Sequence, residues 1–125
     1  MVTASLVNYR QSPRKVRLVA SLIQGKSVTD AMNMLGVTTK RASDPIAKLL
    51  ASAVANAKNQ NMATESLFVK ECRVDSGLTM KRFMPGARGS AFPIRKKTSH
   101  VLLVLGERAP KAAKAPKAKK EAAKK

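Results

Sequence analysis

One segment, KRFMPGARGSAFPIRKK at residues 81–97, predicts more about this chain than any other. It contains six basic residues, two glycines, two prolines and two phenylalanines, and no acidic residue. Segments that read as strands flank it at residues 69–74 and 101–105. Two strands that enclose a Gly/Pro turn predict a β-hairpin. Arms of about ten residues, at about 3.3 Å each, would reach roughly 30 Å, well past what a small core can cover.

The charge of the chain indicates a polyanionic partner. An isolated two-stranded ribbon is marginal in water, and 25 Lys and Arg against 7 Asp and Glu give a formal net charge of +18. Such a charge repels itself unless an anion neutralises it, and nucleic acid is the first candidate. An anionic membrane is the weaker one, because no apolar run approaches the roughly 20 residues that span a bilayer. The first residues lack the features of a secretory signal, and the single cysteine, Cys72, fits a reducing compartment.

Outward from the hairpin, the sequence predicts one further strand and a first helix. The strand spans residues 4–9, and Ser12-Pro13 then reads as an N-cap followed by the first helical residue. Gly25 is expected to cap the helix at its C-terminal end. Helical spacing predicts a buried face made of Val16, Val19, Ala20 and Ile23, broadened by Leu18 and Leu22. The basic residues at the start of this helix suit bound phosphates, or else form a simple solvated face.

Two more helices follow. The second is predicted over residues 27–35, with Ser27 and Asp30 as a capping box and Gly36 as its end. The third is the core helix, and it begins either at Asp44-Pro45 or near Thr38, with Pro45 bending its early turns. Its apolar stripe consists of Ile46, Leu49, Leu50, Ala53, Val54 and Ala57.

The remaining elements are two strands and a tail. Residues 67–74 form a strand whose apolar phase changes between Val69 and Cys72, which predicts a bulge. Residues 101–105 show no alternation and are expected to form a central strand that helices cover on at least one face. Cys72 is read as a buried small hydrophobe. We therefore predict one domain over residues 1–108, with the extended hairpin at about 76–98, and a disordered Ala/Lys/Pro tail over residues 109–125.

The residues needed for catalysis are sparse. His100 is the only histidine, the acidic residues are scattered, and no phosphate-binding or nucleophile-elbow motif occurs. We therefore predict no enzyme activity, no metal, no cofactor and no small-molecule substrate, with an RNA-processing enzyme as the least favoured hypothesis. For His100, an RNA contact and a structural role at the end of the sheet remain open.

Several motifs in the same order along the chain carry a family resemblance. They are Ser12-Pro13-Arg14-Lys15 with Arg17-Leu18-Val19 and Gly25-Lys26, then Ser52-Ala53-Val54-Ala55-Asn56-Ala57, then Lys81-Arg82-Phe83-Met84-Pro85 and Arg95-Lys96-Lys97-Thr98-Ser99-His100. Across residues 4–105 the chain resembles the large-subunit ribosomal protein twenty-two family, of the universal, bacterial type. The resemblance implies an α+β fold in which a small antiparallel sheet packs with three helices and a long β-hairpin protrudes.

The same resemblance implies the function and the partners. The protein is expected in the cytoplasm, as a structural constituent of the large ribosomal subunit that binds large-subunit ribosomal RNA (rRNA) and aids its assembly. Its partners would be that RNA, neighbouring ribosomal proteins and the nascent peptide, but no membrane. The expected rRNA-binding residues are Arg10, Arg14, Lys15, Arg17, Lys26, Lys81, Arg82, Arg88, Arg95, Lys96, Lys97, Ser99 and His100. The hairpin tip would line the peptide exit tunnel with Pro85, Gly86, Ala87, Arg88, Gly89, Ser90 and Ala91.

Two questions stay open on the sequence alone. Phe83 and Phe92 either stack on unpaired bases or hold the two arms together as a cross-strand pair, and packing is slightly favoured for Phe83. The main rival function is that of an architectural DNA-binding protein that inserts a basic β-arm into the minor groove.

Overall fold

The computed structural model describes residues 1–107, so the predicted tail at residues 109–125 lies outside the described residues. The division into a domain and a tail stays a prediction. The elements, in chain order, are β1 (Val2–Tyr9), α1 (Pro13–Ile23), α2 (Val28–Val37), α3 (Ser43–Asn59), β2 (Leu67–Pro85) and β3 (Ala91–Glu107). Single 3₁₀ turns at Thr64–Ser66 and Ala87–Gly89 precede β2 and β3. The predicted α+β fold, with three helices and a small antiparallel sheet, is confirmed.

The sheet places β3 at its centre. Its strand order is β1-β3-β2, and both neighbours pair with β3 in antiparallel orientation. Along β3, Val101, Leu103 and Leu105 are buried, whereas the alternating Leu102 and Val104 are only half-buried. Successive side chains of a strand point to opposite faces. The helices therefore cover one face of the sheet and leave the other partly open, and the predicted central strand is confirmed.

The helix α1 contributes a narrower apolar face than predicted. Val16 and Ile23 are fully buried, as the spacing indicated. Leu18 and Leu22 were expected to broaden that face, but they are 62% and 42% exposed. The physical reason is helical geometry, because a residue two positions from Val16 lies about 200° around the helix. Only one narrow face of α1, which includes Val16 and Ile23, therefore packs into the core.

Ser27 caps α2 as predicted, but two other predictions for this helix are wrong. Asp30 does not close a capping box, because its carboxylate accepts from the Ser27 hydroxyl and not from the Ser27 backbone N–H, and the helix does not end at Gly36. The Asp30 backbone N–H donates to Ser27 Oγ at 3.1 Å, and Ser27 Oγ donates to the Asp30 carboxylate at 2.7 Å. Gly36 was predicted to end this helix, yet the helix continues through it to Val37. The chain leaves the helix at Thr38, whose N–H and hydroxyl both donate to the Met34 carbonyl, at 3.1 and 2.6 Å.

Both predicted starts of α3 are wrong, because the helix begins at Ser43. A turn in which the Ser43 N–H donates to the Lys40 carbonyl at 2.8 Å leads directly into it. Pro45 then falls in the first helical turn, where a backbone N–H has no intrahelical partner to lose. Proline is therefore accommodated at the start of the helix without the loss of an intrahelical hydrogen bond.

Two irregularities shape the pairing of β2 with β3. The bulge predicted between Val69 and Cys72 is present, with a register shift between Val69 and Glu71. A second shift lies between Ser76 and Thr79. Beyond it, residues 79–85 and 91–97 pair in seven consecutive positions and form what we call the ribbon. At about 3.3 Å per residue the ribbon is roughly 23 Å long.

Candidate nucleic-acid interface

The first wall of the candidate site is built where β1 turns into α1. Asn8 adopts the left-handed conformation with φ 58°, and the β1–β3 register shifts between Leu6 and Tyr9, so the strand ends here. The Gln11 N–H then donates to the Tyr9 carbonyl at 2.8 Å. This tight turn presents Arg10 at the surface immediately before the helix.

The first turn of α1 adds cations to that wall. Arg14 and Lys15 are exposed, and this turn carries no acidic residue. The N-terminus of a helix is already the positive end of its dipole, with free backbone N–H groups. Clustered cations are unfavourable there unless an anion is bound, so this wall suits phosphate.

Arg17 is held in place by the backbone of β2. Its Nε and a terminal nitrogen donate to the Val74 carbonyl at 3.1 and 2.9 Å. A guanidinium has five N–H donors in a rigid fork. Two of them therefore fix α1 against the sheet, while the rest of this exposed group stays available at the surface.

The second wall is the base of the ribbon. Arg95, Lys96 and Lys97 are exposed on β3, opposite the register shift in β2. Thr98 next to them is buried, and its hydroxyl donates to the Leu78 carbonyl at 2.7 Å, which ties the bulged strand to its partner. The direction in which the ribbon leaves the domain is thus fixed next to the three cations.

Arg41 also belongs to this site, although the sequence reasoning missed it. The Tyr9 hydroxyl donates to the Arg41 carbonyl at 3.3 Å, which holds the segment before α3 beside the end of β1. Burial raises the pKa of Tyr9 above its ordinary value of 10.0, with the charge of Arg41 acting in the opposite direction. The signal available in the sequence was the Lys40-Arg41 pair just before a helix start.

Together these residues form an open groove of about 1050 Å³, which we call the basic groove. Gln11, Ser12, Pro13 and Ser76 complete its lining, and no carboxylate from residues 1–107 contributes to it. A concave surface lined by one sign of charge concentrates counterions of the other sign. Its cations are Arg10, Arg14, Lys15, Arg17, Arg41, Arg95, Lys96 and Lys97.

Six of the predicted contact residues lie outside the basic groove, and four of these six are cations. Lys81 and Arg82 are exposed along the ribbon, and Arg88 is exposed at its tip in a left-handed conformation with φ 58°. Lys26 is exposed in the turn between α1 and α2. The ribbon therefore extends the positive surface of the basic groove outward, whereas Lys26 is a separate charge.

Ser99 and His100 occupy more enclosed positions. Ser99 is fully buried, and its hydroxyl has no hydrogen-bond partner among the described residues. His100 is half-buried, and its Nδ1 accepts a hydrogen bond from the Asn8 N–H at 3.1 Å. This bond supports the irregular end of β1, so His100 has at least the structural role that the sequence left open.

Residues 1–107 contain neither a cluster that could hold a metal ion nor a helix that could span a membrane. No group of three or more His, Cys, Asp or Glu within that range is placed to hold a metal ion. No helix within it has the length and apolar character needed to cross a bilayer. Cys72 is buried as predicted, and its burial raises the thiol pKa from 9.0 to about 11, which keeps it protonated and unreactive at neutral pH.

Comparison with known proteins gives the family. The family model described as ribosomal protein L22p/L17e matches residues 4–106. The chain belongs to this family. It is 53% identical over 100 residues to the large ribosomal subunit protein uL22 of Deinococcus radiodurans, covering 79% of this chain and 75% of that protein.

Two further relatives agree over similar lengths. The uL22 protein of Myxococcus xanthus is 49% identical over 108 residues, covering 84% of this chain and 95% of that protein. The uL22 protein of Thermus thermophilus is 51% identical over 100 residues, covering 79% and 88% respectively. Membership in the L22p/L17e family makes this chain a ribosomal protein with a structural role, not an enzyme.

Proposed function

We propose that this protein binds large-subunit rRNA through the basic groove and the ribbon, and aids assembly of the subunit in the cytoplasm. The observation that carries the proposal is the convergence of eight cations from three parts of the chain on one groove without a carboxylate among residues 1–107. Phosphate contacts of this kind position a protein on RNA without reading bases. The rest of the ribbon, a thin basic rod, fits the clefts between RNA helices that a globule cannot enter.

The tip of the ribbon is proposed to line the nascent-peptide exit tunnel. The Gly86 N–H donates to the Ser90 carbonyl at 2.7 Å, so the loop is closed on itself. Between Pro85 and Ala91 only Arg88 is charged, and every residue except the half-buried Gly86 is exposed. A small, closed loop with one charge suits a wall past which a peptide moves better than it suits an anchor.

The partners are therefore proposed to be rRNA, neighbouring ribosomal proteins and, at the tip, the nascent peptide. The alternative, an architectural DNA-binding protein, is not favoured, because the relatives are named as proteins of the large ribosomal subunit.

Co-sedimentation of the full-length chain with large subunits through a high-salt wash tests the proposal. The wild-type chain and a variant shortened between Gly86 and Ser90 should both remain with the subunit. A variant carrying Arg95→Ala and Lys96→Ala should be depleted, because it removes charge from the basic groove. Loss of the shortened variant together with full retention of the Arg95/Lys96 variant would show that anchor and tip had been assigned the wrong way round.

A further inference from the structure

The ribbon has two chemically different faces. Paired residues of an antiparallel ribbon point to the same side. The first face, which we call the cationic face, carries the pairs Lys81–Arg95 and Phe83–Pro93, with Lys97 nearer the domain. The opposite face is mainly apolar, and it consists of Met80, Met84, Phe92 and Ile94 with Arg82 and Lys96.

The bulge at the base of the ribbon creates this separation. Between Ser76 and Thr79, β2 advances three residues while β3 advances two, from Ser99 to Lys97. The extra residue moves every later side chain of β2 to the other face. Lys81 consequently shares a face with Arg95 and Lys97 instead of lying behind them.

The cationic face continues the basic groove. Arg95 and Lys97 of the cationic face line the basic groove, as does Lys96 of the opposite face, and Lys81 lies directly across the ribbon from Arg95. Phe83 follows two residues beyond Lys81, about 7 Å further along the strand. An RNA strand whose phosphates lay in the basic groove and along these cations would reach Phe83.

Phe83 and Phe92 differ in what surrounds their rings. They occupy adjacent pairs and point to opposite faces, so the cross-strand pair considered from the sequence is wrong. The ring of Phe92 covers Gly86, where an added Cβ would overlap it, and Phe92 is 54% exposed. Phe83 is 73% exposed, against the packing role favoured for it, and faces Pro93 across the ribbon. An open aromatic ring among cations is typical of a platform for bases of single-stranded RNA.

We propose that Phe83 stacks on an unpaired base of an RNA strand whose phosphates lie along the cationic face. The inference rests on the proposed function, and it adds a base contact to an interface otherwise made of charge. Phe92 takes no part in it, because its ring closes the tip on the other face.

Binding of the full-length chain to two RNA probes tests this assignment. The first probe is a 12-nucleotide oligouridylate, and the second has the same length and charge but abasic central positions. Phe83→Ala should weaken binding of oligouridylate roughly 5- to 100-fold and leave binding of the abasic probe unchanged. Phe83→Tyr should restore the affinity, whereas Phe83→Leu, apolar but not aromatic, should not. Phe92→Ala is the matched control and should bind both probes like the wild type, and ultraviolet crosslinking should map to the peptide that contains Phe83.

Three results would overturn the inference. Equal losses on both probes would mean that Phe83 acts through the shape of the ribbon. Full affinity in Phe83→Leu would indicate a general apolar contact, as with a protein partner. Unchanged affinity in Phe83→Ala would remove the base contact altogether. The proposed function fails separately, if neutralising Arg14 and Arg95 in the basic groove leaves binding of both probes unchanged.

Discussion

The basic groove predicts a specific change in the salt dependence of RNA binding. We consider a double variant, Arg14→Gln with Arg95→Gln, which removes one cation from each wall. Both side chains are exposed, so the substitutions leave the hydrophobic core intact. Fewer phosphates are then neutralised on binding, and fewer counterions are released.

The magnitude follows from the number of cations. Each phosphate neutralised contributes about 0.7–0.9 to the slope of log K against log salt concentration, so the eight groove cations together would contribute roughly 6 to 7. Removing two of them should make the slope shallower by about 1.4–1.8. Affinity at low salt should fall at the same time, because the lost contacts are favourable in that range.

The assay is fluorescence anisotropy with a labelled fragment of large-subunit rRNA, titrated at several KCl concentrations. The matched control is Lys48→Gln with Lys58→Gln, which makes the same change in net charge on the exposed surface of α3 outside the basic groove. Its slope should stay close to that of the wild type. Equal slope changes in the two double variants would refute the reasoning, since the charge would then act as a general field and not through this groove.

Three further predictions concern stability, each measured by reversible unfolding. Leu50→Ala should lower the free energy of unfolding by about 2–5 kcal/mol because Leu50 is fully buried, whereas Leu18→Ala, at a 62% exposed position, should change it by less than about 0.5 kcal/mol. Gly77→Ala should lower the free energy of unfolding by about 1–3 kcal/mol, because its Cβ would lie 2.5 Å from Thr98 Oγ1 and 2.8 Å from His100 Nε2. Gly36→Ala should instead stabilise α2 by about 0.5–1 kcal/mol, because no atom lies within 4 Å of the added Cβ. Since the folded-state pKa of Cys72 is raised from 9.0 to about 11, the unfolded thiol ionises first, and stability relative to Cys72→Ala should fall by on the order of 1–3 kcal/mol between about pH 9 and pH 11.

The sequence predicted best those elements whose signals are local. The stripe of α3 and the buried face of α1 follow from 3.6-residue spacing, and the Ser27 cap follows from residues three positions apart. The bulge near Val69 was visible as a change of apolar phase. Each of these features depends on side chains close together in the chain, so one sequence is enough to recognise it.

Element ends were predicted less well, because they depend on competing backbone hydrogen bonds. Gly36 would end the helix only if the chain took a left-handed turn there. The helix instead ends at Thr38, whose hydroxyl donates to the Met34 carbonyl. The start of α3 is set by a turn from Lys40 to Ser43, and no side-chain pattern in the sequence predicted this turn. Such ends are decided by where the next element must lie.

The candidate site was predicted as a set of cations but not as a surface. Arg10 and Arg14 are near neighbours in sequence, whereas Arg41 and Arg95 join them only through the fold. Arg41 lies at the groove because the Tyr9 hydroxyl donates a hydrogen bond to the Arg41 carbonyl and so holds the segment before α3. These two residues are 32 positions apart in the chain. A count of charges could therefore indicate a polyanionic partner without identifying the groove that receives it.

The arrangement of charge on the ribbon depends on a single additional residue. Ser76 and Thr79 pair with Ser99 and Lys97, so β2 accommodates one residue more than β3 between these two pairs. If β2 instead kept an unbroken alternation from Ser76 onward, Arg82 and Met84 would face the basic groove, while Lys81 and Phe83 would turn away from it. Composition, net charge and predicted secondary structure would be the same in that register. The division of the ribbon into a cationic and an apolar face is therefore a consequence of register. Thr98 and His100 leave no room for a Cβ at Gly77, which shows how tightly the strands pack at the bulge.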